Sequence, residues 1–339
     1  MAQTEESAVA GAVTLSCADR AASAAASASA PSNSPSVASA GEAKKRRAPR
    51  LPFPLQFPLV ILLSFALSSL AHSFLHEWTI GELDTIASPP EPASEIALLA
   101  AWKIVELALG WFGGYDGYDL AALNLLSHGP YLYLLYSFYG ISARAVAAIL
   151  GVDVLAHSAA PNTPDREVIL DRPLQGFTTL LAGVVYSTTL FLACKLFLPS
   201  IFVLYFEGIP SIQPAVGATL FGTVPTEILG LLFGLAARVF IFTPAAGTGP
   251  TDADLAVANF NPEIATLSET ILWNLWGYTS RSKTTIKRTV VAMLVTGVQT
   301  FLQCRSLNGV EPFGAAVYAA VWVIGTMLTG ESLAYVLAV

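Results

Sequence analysis

The chain has 339 residues, 54% of them hydrophobic and 12% charged, with a net charge of −7. Soluble domains carry roughly twice that charge, and a mean hydropathy of +0.60 excludes an ordinary water-soluble protein. The net charge says little, because the placement of Lys and Arg sets membrane orientation, and three cysteines are too few for a disulfide framework or a thiolate metal site.

Residues 1–43 are rich in Ala, Ser and Pro and hold no aromatic residue. Such a segment buries too little apolar surface to offset its ordering entropy and is expected to be disordered. The early Glu5 and Glu6, and the absence of a compact apolar run behind Met1, do not fit a secretory signal. The tail ends in a basic patch, Lys44, Lys45, Arg46, Arg47 and Arg50, directly before the uncharged run Phe57–Leu75. That run is long enough for one span, and basic residues stay cytoplasmic, so the N-terminus is expected inside.

The run ends in AHSFLHEW, which places His72 and His76 at i, i+4. The spacing can hold a metal, but Ile80 stands where an H-E-x-x-H motif needs histidine. The whole chain has four histidines, too few for a membrane di-iron enzyme. Two interfacial histidines are the expected reading.

Further apolar runs follow at Ile96–Gly113, Leu120–Tyr139, Ile141–Leu155, Phe177–Phe206, Ala215–Phe242, Thr289–Cys304 and Phe313–Leu337. The pattern predicts an all-α, polytopic transmembrane helical bundle. A second basic cluster, Arg281, Lys283, Lys287 and Arg288, precedes the last two runs. If both clusters face the cytoplasm, an even number of crossings separates them. Six spans result if Ile96–Gly113 and Ile141–Leu155 lie at the surface, eight if both cross. Six are preferred, since a mid-membrane charge such as Lys103, Glu106, Arg144 or Asp153 costs about 2.5–3.5 kcal/mol on insertion scales. Lys103 and Glu106, spaced i, i+3, can however pair. The chain then divides into a tail (1–50), membrane helices (51–242), a cytosolic segment (243–288) and two final helices (289–339), both termini being cytoplasmic.

Between two of the apolar runs lies GYDGYD, Gly114–Asp119. Clustered glycines break the helix there, and Asp119 is expected to cap a helix opening at Leu120. A polar hairpin is preferred to a cation site built from Asp116 and Asp119. Within the next helix, Gly129-Pro130 must disturb the backbone and free the Leu126 carbonyl. Asn124 and His128 are expected to satisfy that carbonyl or each other; the alternative is a polar-lined solute path. Pro225 interrupts Ala215–Phe242, with Glu227 at the helix start and Arg238 about three turns on. These four residues, Asn124, His128, Glu227 and Arg238, are the candidate solute path. Pro199 is expected to end the helix of Phe177–Phe206, and Lys195 to snorkel to the headgroups.

In the cytosolic segment Asn261-Pro262-Glu263 reads as a helix start. Ile264, Leu267, Ile271 and Leu275 then recur at helical spacing beside Trp273 and Trp276, ahead of the basic cluster. That combination suits a helix lying on an anionic leaflet. Capping of the bundle as core is the alternative. The small residues Gly230, Gly234 and Ala237, and Gly314, Ala315 and Ala319, allow close helix approach, leaving oligomerisation possible.

Tyr118-Asp119, Leu150-Gly151-Val152-Asp153 and Pro214-Ala215-Val216 follow the motif order of presenilin-type intramembrane aspartyl proteases. Leu150 and Val152 replace both glycines of the Gly-x-Gly-Asp motif, and Val216 replaces a leucine. Asp119 and Asp153 are therefore only a remote catalytic pair. No nucleotide loop, serine elbow or zinc motif is present, so no cofactor and no nucleic-acid partner is expected. The stretch GWFGGYDGYDLAALNLLSHGPYLYLLYSFYGIS, Gly110–Ser142, resembles multi-pass membrane proteins of filamentous fungi, a resemblance that implies membrane embedding and no particular activity. A non-enzymatic endomembrane scaffold or biogenesis factor is the leading expectation. A small-solute or ion transporter is the alternative.

Overall fold

The computed structural model describes residues 93–158, 172–219 and 224–338, with isolated helical positions between 58 and 70. The basic patch Lys44–Arg47, most of the first apolar run, and His72 and His76 lie outside the described residues. Apart from one isolated bridge between Phe206 and Val310, every regular element described is helical. In chain order these are α1 (Ala93–Gly113), α2 (Gly117–Phe138), α3 (Ala143–Ser158), α4 (Arg172–Leu196), α5 (Leu198–Tyr205), α6 (Gln213–Val216), α7 (Val224–Ala237), α8 (Asp252–Ala258), α9 (Leu267–Trp276), α10 (Ser280–Arg305) and α11 (Pro312–Ala338). Between α7 and α8 the chain continues through a π-helical turn, Arg238–Phe242, into one α-turn, Thr243–Ala246.

Among the described residues, three stretches are long and apolar enough to cross a membrane: Arg172–Leu196, Ile228–Ala246 and Pro312–Ala338. Helix α2 is the buried axis around which α3, α7 and α10 pack. Its apolar residues are buried on nearly every face, from Ala122 and Leu126 to Leu135 and Phe138. Helices α4 and α7 touch backbone to backbone. A Cβ on Gly234 would meet the Thr179 carbonyl at 2.2 Å, and one on Gly183 the Gly230 carbonyl at 2.8 Å. The small-residue stripe thus packs a helix of the same chain.

These contacts order the helices. The starts of α2 and α10 and the π turn share one end of the bundle, where Arg288 reaches both Asp119 and the Phe240 carbonyl. The end of α2, α5 and the start of α11 share the other, where Phe138 meets Phe202 and Tyr205 meets Phe313. Helix α4 starts at the first end, since it is antiparallel to α7. The first end holds Arg172, Arg238, Arg281, Lys283, Lys287 and Arg288, the second Arg144, Lys195 and Arg305.

Several local expectations shift. Helix α2 begins at Gly117 rather than Leu120, with Asp116 at the N-cap position. Asp119 is therefore inside the first turn, and Gly114, at φ 63°, makes the turn before it. Asn261-Pro262-Glu263 forms only a turn, in which the Glu263 N–H donates to Asn261 Oδ1. The helix starts at Leu267, because Thr266 and Glu269 form a reciprocal capping box. That box satisfies two orphan donors where Asn-Pro-Glu satisfies one. As expected, α4 stops before Pro199, which opens α5, and Ser142 caps α3, accepting from the Ala145 N–H at 3.4 Å.

Candidate functional site

Two features could carry function: a polar seam through the bundle and a cleft at its second end. The seam begins at Asp119, fully buried in the first turn of α2. Both Nη atoms of Arg288 lie 3.0 Å from its Oδ2, and Nη1 also donates to the Phe240 carbonyl at 2.9 Å. The guanidinium lies 5.0 Å from the Tyr115 ring and 5.2 Å from the Phe240 ring, within cation–π range. So the first Gly-Tyr-Asp supplies an aromatic wall and the second supplies the carboxylate. The cation beside Asp119 is the chain's own arginine.

Deeper along α2, the Trp102 indole donates to Gln299 Oε1 at 2.7 Å. That contact fixes the amide orientation, so Gln299 Nε2 donates to His128 Nε2 at 2.8 Å. A neutral imidazole protonated on Nδ1 fits this arrangement, with Ser127 Oγ at 3.0 Å and the Asn124 carbonyl at 3.3 Å. The carbonyl freed by Pro130 is satisfied from another helix: Thr296 Oγ1 donates to Leu126 O at 3.3 Å. Tyr318 Oη likewise donates to Pro130 O at 2.7 Å. Neither Asn124 nor His128 had to fill that role.

His128 thus sits one turn from Asn124 and bonds its backbone, while Arg238 opens the π turn and is not among the partners of His128. The Glu227 and Asp153 side chains lie outside the described residues. Asp119 is at the start of α2, whereas Pro214-Ala215-Val216 is in α6 near its far end, where α6 and Tyr136 border one cleft. Among the described residues no group of three His, Cys, Asp or Glu is placed to hold a metal.

Gln299 and Thr296 carry the seam, and both were missed in the sequence because α10 reads as an apolar span. The signal is present: Thr285, Thr289, Ala292, Thr296, Gln299 and Gln303 recur at alternating four- and three-residue steps. This is the stripe of a helix facing a partner, here written in polar and small residues.

The cleft, of about 910 Å³, opens between the end of α2, α4, α6 and the middle of α7. Leu180, Val184 and Leu231 line its deep part, and Ser137, Ser142, Ser211 and Gln213 its part nearer the second end. Asn124, His128 and Arg238 are not among its lining residues.

At the first end, residues 248–281 form a lobe clamped at its base. Asp254 accepts from the Thr251 N–H at 2.9 Å and the Ser280 N–H at 2.6 Å. Arg281 Nε donates to the Thr248 carbonyl at 3.1 Å. Inside the lobe Trp273 stacks on Phe260, ring centroids 4.9 Å apart, and donates to the Val257 carbonyl. Those N–H donors hold the Asp254 carboxyl below the usual carboxylate range. The Thr266 backbone N–H and hydroxyl do the same for Glu269. No residue of α9 is buried, and Ile264 and Leu267 are 85% and 78% exposed.

Comparison with protein-family models, with curated proteins and with solved structures finds no match to the chain.

Proposed function

We propose that the chain is a non-enzymatic, multi-pass scaffold of an endomembrane such as the endoplasmic reticulum, organising the cytosolic leaflet through its 248–281 lobe. The observation that carries this reading is a contrast of exposure. Within the bundle Asp119 is engaged by Arg288 and His128 by Gln299, while the lobe leaves Ile264, Leu267, Ile271, Leu272 and Leu275 uncovered. Beside them α10 begins with Arg281, Lys283 and Lys287, of which Arg281 and Lys287 are exposed. An uncovered apolar face flanked by cations matches an anionic lipid surface. Arg288, turned inward to Asp119, is left out of this surface.

Eight crossings, not six, are part of the proposal. Support comes from α1, whose Trp102 reaches Gln299 deep in the bundle while its Gly110 lies against Leu120. Its two mid-helix charges pair, with Lys103 Nζ 3.2 Å from Glu106 Oε2, which removes the main objection to a crossing. Helix α3 folds back on α2, and α4 starts again at the first end. Counting Phe57–Leu75 as one crossing, both basic clusters and both termini face the cytosol, on the more cationic side.

The test is a spin label at Leu275 of the full-length chain in nanodiscs. It is expected to collide more with lipid-soluble oxygen than with a water-soluble nickel chelate, and to sit deeper when anionic lipid is added. Equal water accessibility at every lipid composition would refute the lobe's role. Solute flux in proteoliposomes, abolished by Glu227→Gln or His128→Ala, would replace the scaffold with a transporter.

A further inference from the structure

We infer that the cleft between α2, α4, α6 and α7 binds a single lipid with an anionic headgroup, its acyl chain along α4 and its headgroup beside Lys195. The inference rests on the membrane embedding in the proposed function and is independent of the scaffold role.

Four observations converge. The cleft's volume of about 910 Å³ is that of a real ligand site, which runs to roughly 300–1,000 Å³. Its lining is graded along α4, with Leu180 and Val184 at the deep end and Phe191 and Cys194 near the second end. Those four residues span about 21 Å of helix at 1.5 Å per residue, more than half of a hydrocarbon core of roughly 30 Å. The cleft therefore runs from just past mid-membrane to headgroup level, the reach of one acyl chain.

Polar groups are densest toward the second end, with Ser187 and Thr188 of α4 between it and the deep end. Ser137 from the last turn of α2, Ser142 from the α2–α3 connection, and Ser211 and Gln213 from the α6 region line this end. This suits a molecule apolar for most of its length and hydrogen-bonding at one end.

Lys195, the residue after Cys194, stands at this mouth. Its Nζ donates to the Val216 carbonyl at 3.2 Å, between the lining residues Pro214 and Gly217, and lies 5.8 Å from the Phe191 ring. One carbonyl uses one of an ammonium's three donors, leaving two for an anion. A cation held at the polar end sets the sign of the headgroup.

Access is lateral. Leu180, Val184 and Leu231 line the cleft and are each about half exposed. In a membrane those side chains border hydrocarbon, so an acyl chain enters from the leaflet without crossing water.

The experiment uses the full-length chain in nanodiscs, with diazirine-bearing palmitic acid, the matching phosphatidic acid and the matching phosphatidylcholine as probes. Photolabel is expected on peptides covering 180–194 and 211–219. Val184→Trp, which fills the deep end, lowers labelling by all three about tenfold, equivalent to about 1.4 kcal/mol. Lys195→Gln lowers labelling by the two acids about 2- to 5-fold, the size of one exposed ion pair, and leaves phosphatidylcholine unchanged. Should Val184→Trp fail to fold, Leu231→Trp fills the same space from α7. Labelling by palmitic acid alone identifies a free carboxylate as the ligand, and labelling by phosphatidic acid identifies a phospholipid. Label spread evenly over outward residues such as Leu98 and Leu294, and indifferent to Val184→Trp, overturns the site. So does a disulfide between cysteines placed at 184 and within 57–75 that excludes the probe, because the chain's own first run then fills the cleft. The lobe's depth is read by its own spin label, so either result can fail alone.

Discussion

The bundle seam and the 248–281 lobe use the same polar chemistry at different ranges. In the seam, bonds join residues far apart in sequence: Asp119 to Arg288, His128 to Gln299, Trp102 to Gln299, Leu126 to Thr296. In the lobe they are mostly local, with Thr251 to Asp254 and Thr266 to Glu269, and one clamp closes the base. The seam converts polar groups into helix registry inside an apolar surround, where an unmet donor is costly. The lobe shapes its backbone with caps and leaves its apolar side chains outward. Rigidity inside is set against an outward apolar face, to which the proposed function gives adhesion.

The comparison breaks most severely at the ion pair. Asp119→Ala leaves the Arg288 guanidinium buried against two rings with no carboxylate. Removing one partner of a buried pair costs about 3–5 kcal/mol. Heat denaturation of the detergent-solubilised chain is expected to show a large loss for Asp119→Ala and for Arg288→Ala. Asp119→Ala combined with Arg288→Met is expected to recover part of it, since no charge is then stranded. A double variant as unstable as the sum of the singles would show that the two residues do not act as a pair.

A smaller loss is expected where packing alone is disturbed. Gly234→Leu places a side chain where the Thr179 carbonyl approaches to 2.2 Å of an added Cβ. Helices α4 and α7 must then part, at about 1–3 kcal/mol for an overpacked contact. The same substitution at Gly176, where nothing lies within 4 Å, is expected to be neutral. Equal effects at the two glycines would mean that the α4–α7 contact contributes no stability. Because α7 also walls the cleft, Gly234→Leu is expected to alter lipid labelling there.

Much of the helical order was legible because runs of apolar residues and prolines are local signals. Pro199 ended a helix, Pro130 freed a carbonyl, and Gly230 and Gly234 marked a close approach, all as the residues alone require. What was hidden depended on pairing between distant helices. Asp119 looks like a cap until Arg288 is beside it. The Leu126 carbonyl needed a donor, but nothing local to α2 names Thr296. The cleft was equally invisible, since its walls come from four separate elements. In the lobe the error was one of competition: Asn261-Pro262-Glu263 is a valid start signal, and Thr266-x-x-Glu269 is a stronger one five residues later.

The smallest expected effect belongs to the lobe's base and is read by pH. The Thr251 and Ser280 N–H groups hold the Asp254 carboxyl below its ordinary value, and the Thr266 N–H and hydroxyl do so for Glu269. A depressed folded-state pKa contributes stability that is present above the unfolded value, near 4, and is lost as pH falls through the lower folded value. The lobe is therefore expected to be indifferent to pH between 6 and 8 and to loosen below about pH 4. A variant retaining Trp273 as its sole tryptophan reports this directly, because its indole is stacked on Phe260. Its emission is expected to shift on acidification. Asp254→Asn should flatten the acid transition and give at neutral pH part of the shift otherwise seen only in acid. If the transition survives Asp254→Asn and Glu269→Gln together, the lobe is not held by its caps, and the division between a locally shaped lobe and a distantly bonded bundle fails.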